Sequence, residues 1–361
     1  MAKKLMKGCE AIGEAAVQAG CRLFFGYPIT PQNEIPEYMS ARLPQVGGVF
    51  VQAESEVAAS NMLYGAAGAG CRCITSSSSP GISLMAEGMS YLAGSELPVV
   101  NVNIMRAGPG LGGILPSQSD YFQATKGGGH GDYRMLVLAP STVQEAADLT
   151  MEAFDLADKY RNPVMILADG ALGQMMEKVE FPRYDPKEHV PPKPWATTGK
   201  SPDRAQNIIT SLHIQPEKME AINLHLQEKY RTIEKNEVRF ELVHAEDAEY
   251  LIVAYGLVAR IAHRAVEIAR ERGIRAGLVR PITLFPFPYD EIRSRAALVN
   301  GMLVVEMNAG QMVEDVRLGV EGRCPVRFHG RMGGIIPSPD EVVAALEKLV
   351  VEADTATMEA R

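Results

Sequence analysis

The sequence is poor in cysteine, in single-sign charge and in long apolar runs. Its five cysteines, Cys9, Cys21, Cys71, Cys73 and Cys324, are scattered and form no Cys-x-x-Cys pair. Neither a zinc site nor a ligated iron–sulfur cluster is supported on this chain. No uninterrupted apolar run reaches the ~18–20 residues of a membrane span, and the Met1-Ala-Lys-Lys start lacks a signal-peptide core. A reducing cytoplasm is the expected compartment. Lys and Arg are dispersed through a chain of net charge −8, which argues against nucleic acid or an anionic membrane as partner. What remains is ordinary for a globular protein: 46% hydrophobic and 22% charged over 361 residues. That length accommodates about two to three domains with a sizeable core.

The most informative stretch runs from Val51 to Gly70. A short apolar strand, Gly48–Val51, leads into Glu54-Ser55-Glu56 and then an almost uniformly small-residue segment closing on Gly65, Gly68 and Gly70. Ser55 can cap a helix. On a 3.6-residue period Glu56 shares a face with Ala59, Ser60, Leu63 and Ala67. Such a helix is built for close approach to something else. Two readings of Glu56 compete. As a first-turn acid it would complement the helix dipole, worth ~0.3–1 kcal/mol. As a carboxyl group walled by apolar atoms, it would exchange a proton with a bound heterocycle.

Other chemistry-bearing residues also stand at strand exits. Arg22–Gly26 runs into Tyr27-Pro28-Ile29-Thr30-Pro31, where two prolines would stiffen a turn presenting the Thr30 hydroxyl. Thr30 reads equally as a helix N-cap. The strand Cys71–Thr75 precedes Ser76-Ser-Ser-Ser-Pro80-Gly81, expected to be a polar loop before a helix over 82–93. The strand Leu97–Met105 delivers Arg106, whose fork of donors suits a carboxylate or phosphate. Gly108-Pro-Gly-Leu-Gly-Gly113 formally matches G-x-G-x-x-G, but prolines and no following helix exclude a dinucleotide fingerprint. It reads as a mobile or ligand-covering loop. His130, in a second glycine run, is either a surface residue or a pocket wall.

Alternating strands and helices through Ala168 imply a parallel doubly wound sheet, with ligands outside the carboxyl ends of its strands. A proline-rich stretch, 180–200, and a polar helix over 216–241 follow. A second α/β unit begins near Glu249, where Gly256, Asn308 and Gly334 follow strands and suggest a crevice of its own. The divisions expected are 1–180, a linker with the long helix over 181–246, and 247–361.

Tyr27-Pro-Ile-Thr-Pro31, Glu54-Ser-Glu56, Gly65-Ala-Ala-Gly-Ala-Gly70, Thr75-Ser-Ser-Ser-Ser-Pro-Gly81, Leu284-Phe-Pro-Phe-Pro288 and Glu306-Met-Asn-Ala-Gly-Gln311 occur together and in order. Taken as a set they resemble the alpha subunit of 2-oxoacid:ferredoxin oxidoreductases, across essentially the whole chain. The resemblance implies a pyrimidine-binding domain of the thiamine diphosphate enzymes, followed by a transketolase C-terminal-like domain. Pro31–Met39 and Gly127–Arg134 are most similar to the branched-chain (3-methyl-2-oxobutanoate, or 2-ketoisovalerate) type. Cys9 stands where the family is expected to carry Asn. Glu56 matches the glutamate that contacts N1′ of the thiamine aminopyrimidine, and so a catalytic and cofactor-binding role. Thr30 and Arg106 match positions that hold the substrate carboxylate, while Tyr27, Pro28, Ser78 and Ser79 would border the cofactor.

Thiamine diphosphate enzymes, which the resemblance brings in, hold the diphosphate through Mg2+ with a Gly-Asp-Gly motif and a later Asn. Here Ala168-Asp169-Gly170 is the nearest match, and no Asn lies between Asn162 and Asn207. The resemblance therefore implies a beta subunit carrying the Mg2+ and diphosphate site. It also implies a gamma subunit, a ferredoxin-like delta subunit with 4Fe–4S clusters, CoA as co-substrate, ferredoxin as acceptor and a dimer of heteromers. A 2-oxoglutarate-type subunit, a self-contained transketolase-like or decarboxylase enzyme, and a non-catalytic scaffold or CoA-binding subunit stay open beside it.

Overall fold

A computed structural model describes residues 3–200 and 202–359. Short strands rich in Val, Ile and Phe alternate with helices, and the alternation builds a seven-stranded sheet. Its order is Thr283–Phe285, Leu136–Leu138, Val164–Asp169, Val100–Met105, Cys73–Ser77, Leu23–Gly26 and Val49–Gln52. Every pairing is parallel except that of Thr283–Phe285, which is antiparallel to Leu136–Leu138. Central strands such as Val100–Met105 and Val164–Asp169 are buried along their whole length, as a sheet covered on both faces requires.

The second sheet has five strands in the order Val326–Gly330, Gly301–Glu306, Tyr250–Val253, Ala276–Pro281 and Phe240–Val243. Phe240–Val243 alone runs antiparallel there. Two strands thus lie outside the units in which they were expected. Phe240–Val243 comes from the 181–246 stretch and joins the second sheet. Thr283–Phe285 comes from the 247–361 stretch and covers the edge of the first, which would otherwise present unpaired backbone groups.

The helix Glu56–Gly68 starts where Ser55 caps it, the Ser55 hydroxyl accepting from Ala58 N at 3.2 Å. Its buried face carries Glu56, Ala59, Ser60, Leu63 and Ala67, the face expected from helical spacing. Small residues let it press on the helix Ser79–Gly94, where a Cβ at Gly88 would collide with Ser60. The serine run is not a loop. Ser76 and Ser77 complete the strand Cys73–Ser77, Ser78 sits extended at the N-cap, and Pro80 occupies the first helical turn. Proline's fixed φ favours that first-turn position, which explains why the helix starts early. The long polar helix, Pro216–Asn236, lies on the first unit. Its Lys229 Nζ donates to Glu96 Oε1 and to Arg161 O, both at 3.2 Å. Among the described residues, no helix is long and apolar enough to cross a membrane.

Candidate active site

Four adjacent parallel strands end on one edge of the first sheet, and each delivers a residue singled out by sequence. Leu23–Gly26 leads to the Tyr27–Thr30 turn, Val49–Gln52 to Glu56, Cys73–Ser77 to Ser78 and Ser79, and Val100–Met105 to Arg106. Ligands of open α/β sheets lie outside such carboxyl ends.

Glu56 is 5% exposed. Among the described residues no hydrogen bond reaches its carboxylate. One wall is Gly81: a Cβ there would meet Glu56 Oε1 at 2.6 Å and collide with Ser77 Oγ. Beside it the buried Ser77 hydroxyl has no hydrogen-bond partner, and neither do those of Thr75 and Ser78 on the same strand and its exit. Each buried polar atom left unpaired costs about 1–3 kcal/mol. A bare carboxylate beside orphaned hydroxyls is a poor arrangement for stability and a good one for a polar ligand. The donor set, an acid able to share a proton and hydroxyls able to give or accept, fits the aminopyrimidine of thiamine.

Arg106 is 6% exposed, and its guanidinium bridges two turns. Nη1 donates to Thr30 O at 2.9 Å, Nη2 to Leu111 O at 3.0 Å, and the buried Nε is unpartnered. With five donors on the group, it keeps N–H groups free for a carboxylate. Tyr27, Pro28 and Thr30 are on the exposed side of the turn, and Thr30 Oγ1 accepts from Asn33 Nδ2 at 3.5 Å. Behind them the buried Gln32 fastens the turn to the sheet: its Oε1 accepts from Ser76 Oγ at 2.5 Å. Sequence reasoning missed Gln32, although its position one residue after Thr30-Pro31 placed it at the strand exit.

The second unit closes the other side. A cavity of about 390 Å³ lies between Ser79, Arg106 and Asp120 of the first unit and Asn308, Gln311 and Met332 of the second. Gly256, Asn308 and Gly334 do not form a separate crevice. Gly256 lies against the Gln118 amide, Asn308 Nδ2 donates to Gln118 O at 2.8 Å, and Gly334 packs on Leu115. The two sets of strand ends face one another, so the crevice is shared. Asp120 is a lining residue that sequence reasoning did not find. Burial pushes its carboxyl above the usual range, against the pull of hydrogen bonds from Ser79 and Asn103.

Two further residues fall elsewhere. His130 is exposed beside Tyr91 and borders a different, smaller cavity with Ser211 and His213. Asp169 is wholly buried and accepts from Ala171 N at 2.9 Å and Leu172 N at 3.1 Å, capping its own short helix. Its carboxylate serves the backbone rather than facing a ligand.

Known proteins show what this arrangement belongs to. A family profile for pyruvate flavodoxin/ferredoxin oxidoreductase, thiamine diphosphate-binding, matches residues 14–245. Over 92% of its length the chain is 55% identical to ketoisovalerate oxidoreductase subunit VorB of Methanothermobacter thermautotrophicus, covering 94% of that protein. The chain belongs to the 2-oxoacid:ferredoxin oxidoreductases.

A second profile of the family, pyruvate:ferredoxin oxidoreductase core domain II, matches residues 248–342. The 2-oxoglutarate synthase subunit KorA of Archaeoglobus fulgidus is 38% identical over 96% of this chain and 99% of its own. Among solved structures, a 2-oxoglutarate:ferredoxin oxidoreductase from Magnetococcus marinus superposes with a TM-score of 0.86 at 27% identity. That match covers 96% of this chain, which spans 65% of the solved one. An inactive beta4 tetramer of a split-gene transketolase matches at a TM-score of 0.60 and 14% identity, over 96% of this chain and 98% of its own. This last likeness is one of fold. The family's architecture, a thiamine diphosphate-enzyme pyrimidine-binding domain followed by a transketolase C-terminal-like domain, accounts for both sheets. Its members are oxidoreductase subunits, and the relatives' names mark them as parts of multi-subunit enzymes.

Proposed function

We propose that this subunit supplies the proton-exchanging and substrate-orienting half of a thiamine diphosphate site in a cytoplasmic 3-methyl-2-oxobutanoate (2-ketoisovalerate):ferredoxin oxidoreductase. The overall reaction joins the acyl group of the 2-oxoacid to CoA, releases CO2 and passes two electrons to ferredoxin. The observation that carries the reading is Glu56, buried, unpartnered and beside the orphaned Ser77 hydroxyl at the carboxyl edge of the sheet. When bound, thiamine diphosphate supplies the electron sink for decarboxylation. Glu56 holds the proton shared with the pyrimidine ring, and Gly81 keeps its carboxylate in place. Arg106, with Thr30 beside it, orients the oxoacid carboxylate before CO2 departs. Tyr27, Pro28, Ser78 and Ser79 border the cofactor.

The spent carboxylate of Asp169 supports placing Mg2+ and the diphosphate on a beta subunit, with 4Fe–4S clusters on a ferredoxin-like delta chain and a gamma subunit completing the complex. The exposed outer residues of the helix Glu56–Gly68, Val57, Asn61 and Gly65, suit a partner that covers the site. The substrate assignment follows the nearer likeness to ketoisovalerate subunits, at 55% and 51% identity, than to the 2-oxoglutarate subunit at 38%. A substrate panel on the reconstituted complex tests it, read as CoA-dependent viologen reduction. 2-Ketoisovalerate is expected to exceed 2-oxoglutarate at least about tenfold in kcat/KM. The reverse order would overturn the substrate, and silence with every 2-oxoacid would overturn the reading.

A further inference from the structure

The Glu306–Gln311 turn of the second unit belongs to no step above, yet it grips the first unit at the candidate active site. Gln118 N donates to Met307 O, and Met307 N donates back to Gln118 Oε1, each at 3.0 Å. Gln118 Nε2 reaches Tyr255 O at 2.9 Å. Gln311 spans the next residues, its Nε2 donating to Ser119 O at 2.7 Å and its Oε1 accepting from Phe122 N at 2.8 Å. Tyr121 Oη donates to the buried Asp315 at 2.6 Å. The residue held between these anchors is Asp120.

Asp120 acts on one hydroxyl. Ser79 Oγ accepts from Arg106 N at 3.0 Å and has two acceptors for its own proton, Asp120 Oδ2 at 2.6 Å and the longer Arg106 O at 3.2 Å, of which the short, charged one wins. A hydroxyl has one proton to give. By taking it, Asp120 turns the oxygen's lone pairs toward the Arg106 backbone, while Asn103 Nδ2 braces the same carboxylate oxygen at 2.9 Å. We infer that Asp120 is a positioning residue for Arg106, acting through the Ser79 hydroxyl and held in register by the second unit's Glu306–Gln311 turn. The second unit then contributes to the chemistry without touching the oxoacid carboxylate. This rests on the assignment of Arg106 to that carboxylate.

The test is steady-state kinetics on the reconstituted complex, with 2-oxoacid and CoA titrated separately and melting curves as a check of folding. Asp120→Ala is expected to raise the 2-oxoacid KM about tenfold and leave the CoA KM unchanged. Asp120→Asn, which keeps an oxygen for the Ser79 proton, is expected to recover most of that loss. Gln311→Ala, which leaves all three site residues intact, is expected to raise the same KM by a smaller factor. In Arg106→Met/Asp120→Ala the KM is expected to be no higher than in Arg106→Met alone, because the route ends at Arg106. An unchanged 2-oxoacid KM in Asp120→Ala, an equal rise in both KM values, or multiplied effects in the double variant would overturn the inference. A silent Arg106→Met would instead remove the carboxylate assignment itself. An effective Arg106→Met beside a silent Asp120→Ala removes only the positioning role.

Discussion

Two buried glutamates stand at the facing edges of this molecule, and their surroundings differ completely. Glu306 ends a strand of the second sheet and is saturated. It accepts from Asn308 Nδ2 at 2.8 Å, from Met312 N at 2.9 Å and from Val313 N at 3.0 Å, so it caps the helix Met312–Val320. Glu56, in the first turn of its helix, has no such partners, and the Ser77 hydroxyl that meets it at Gly81 is also unpaired. A carboxylate with its hydrogen bonds made is structural. One left bare at a comparable depth is a cost that folding alone does not explain, and a site for a ligand does. Two aspartates of the first unit also differ in setting: Asp169 caps its own helix, while Asp120, braced by Ser79 and Asn103, lines the shared cavity.

Substitutions should divide along this line. Glu56→Gln is expected to lower kcat about 10³-fold, measured as CoA-dependent viologen reduction, with complex assembly and melting temperature unchanged. Gly81→Ala puts a Cβ against Glu56 Oε1 and Ser77 Oγ. A displaced carboxylate is expected to cost about 10²-fold in kcat with a small loss of stability, so an unaltered kcat would loosen the link between that contact and catalysis. Arg106→Met is expected to act chiefly on the 2-oxoacid KM, raising it roughly tenfold or more; an unchanged KM would detach Arg106 from the substrate.

The smallest effect concerns Asp169. Burial pushes its carboxyl from 3.8 up to about 6. A carboxyl raised in the folded state favours the fold while protonated, below about pH 4, and that contribution is lost as pH climbs through about 6. Asp169→Asn keeps the oxygen that accepts from Ala171 and Leu172 but carries no charge. Melts compared across pH 4–7 should show the variant gaining on the order of 2–3 kcal/mol over the parent. Parallel curves at all pH values would show that Asp169 does not titrate in that window.

Legibility in the sequence followed the range of the interactions. The Ser55 cap and the buried face of the Glu56 helix depend on neighbours within a few residues, and the parallel first sheet on the alternation of strand and helix along the chain, so local spacing revealed them. The serine run was misread because strand end, cap and first turn follow one another there without a linker. Pairing of Thr283–Phe285 with Leu136–Leu138 joins segments about 145 residues apart, and no periodicity carries that information. Asp120 belongs to the same class. It follows Arg106 by fourteen positions in the chain. Only the return of the glycine-rich loop, clamped by Gln311, brings it onto Ser79. The shared crevice was missed for that reason too, since each unit read alone shows strand ends but not what they face.

The comparison of the two glutamates is tested most directly by measuring turnover and melting temperature side by side for Glu56→Gln and Glu306→Gln in the assembled complex. The expected result is a double dissociation. Glu56→Gln loses about three orders of magnitude in kcat at constant melting temperature. Glu306→Gln loses about 5 °C in melting temperature while the folded fraction keeps most of its turnover. Near-normal turnover in Glu56→Gln, or a melting loss there matching that of Glu306→Gln, would contradict the assignment of Glu56 as the proton-exchanging group.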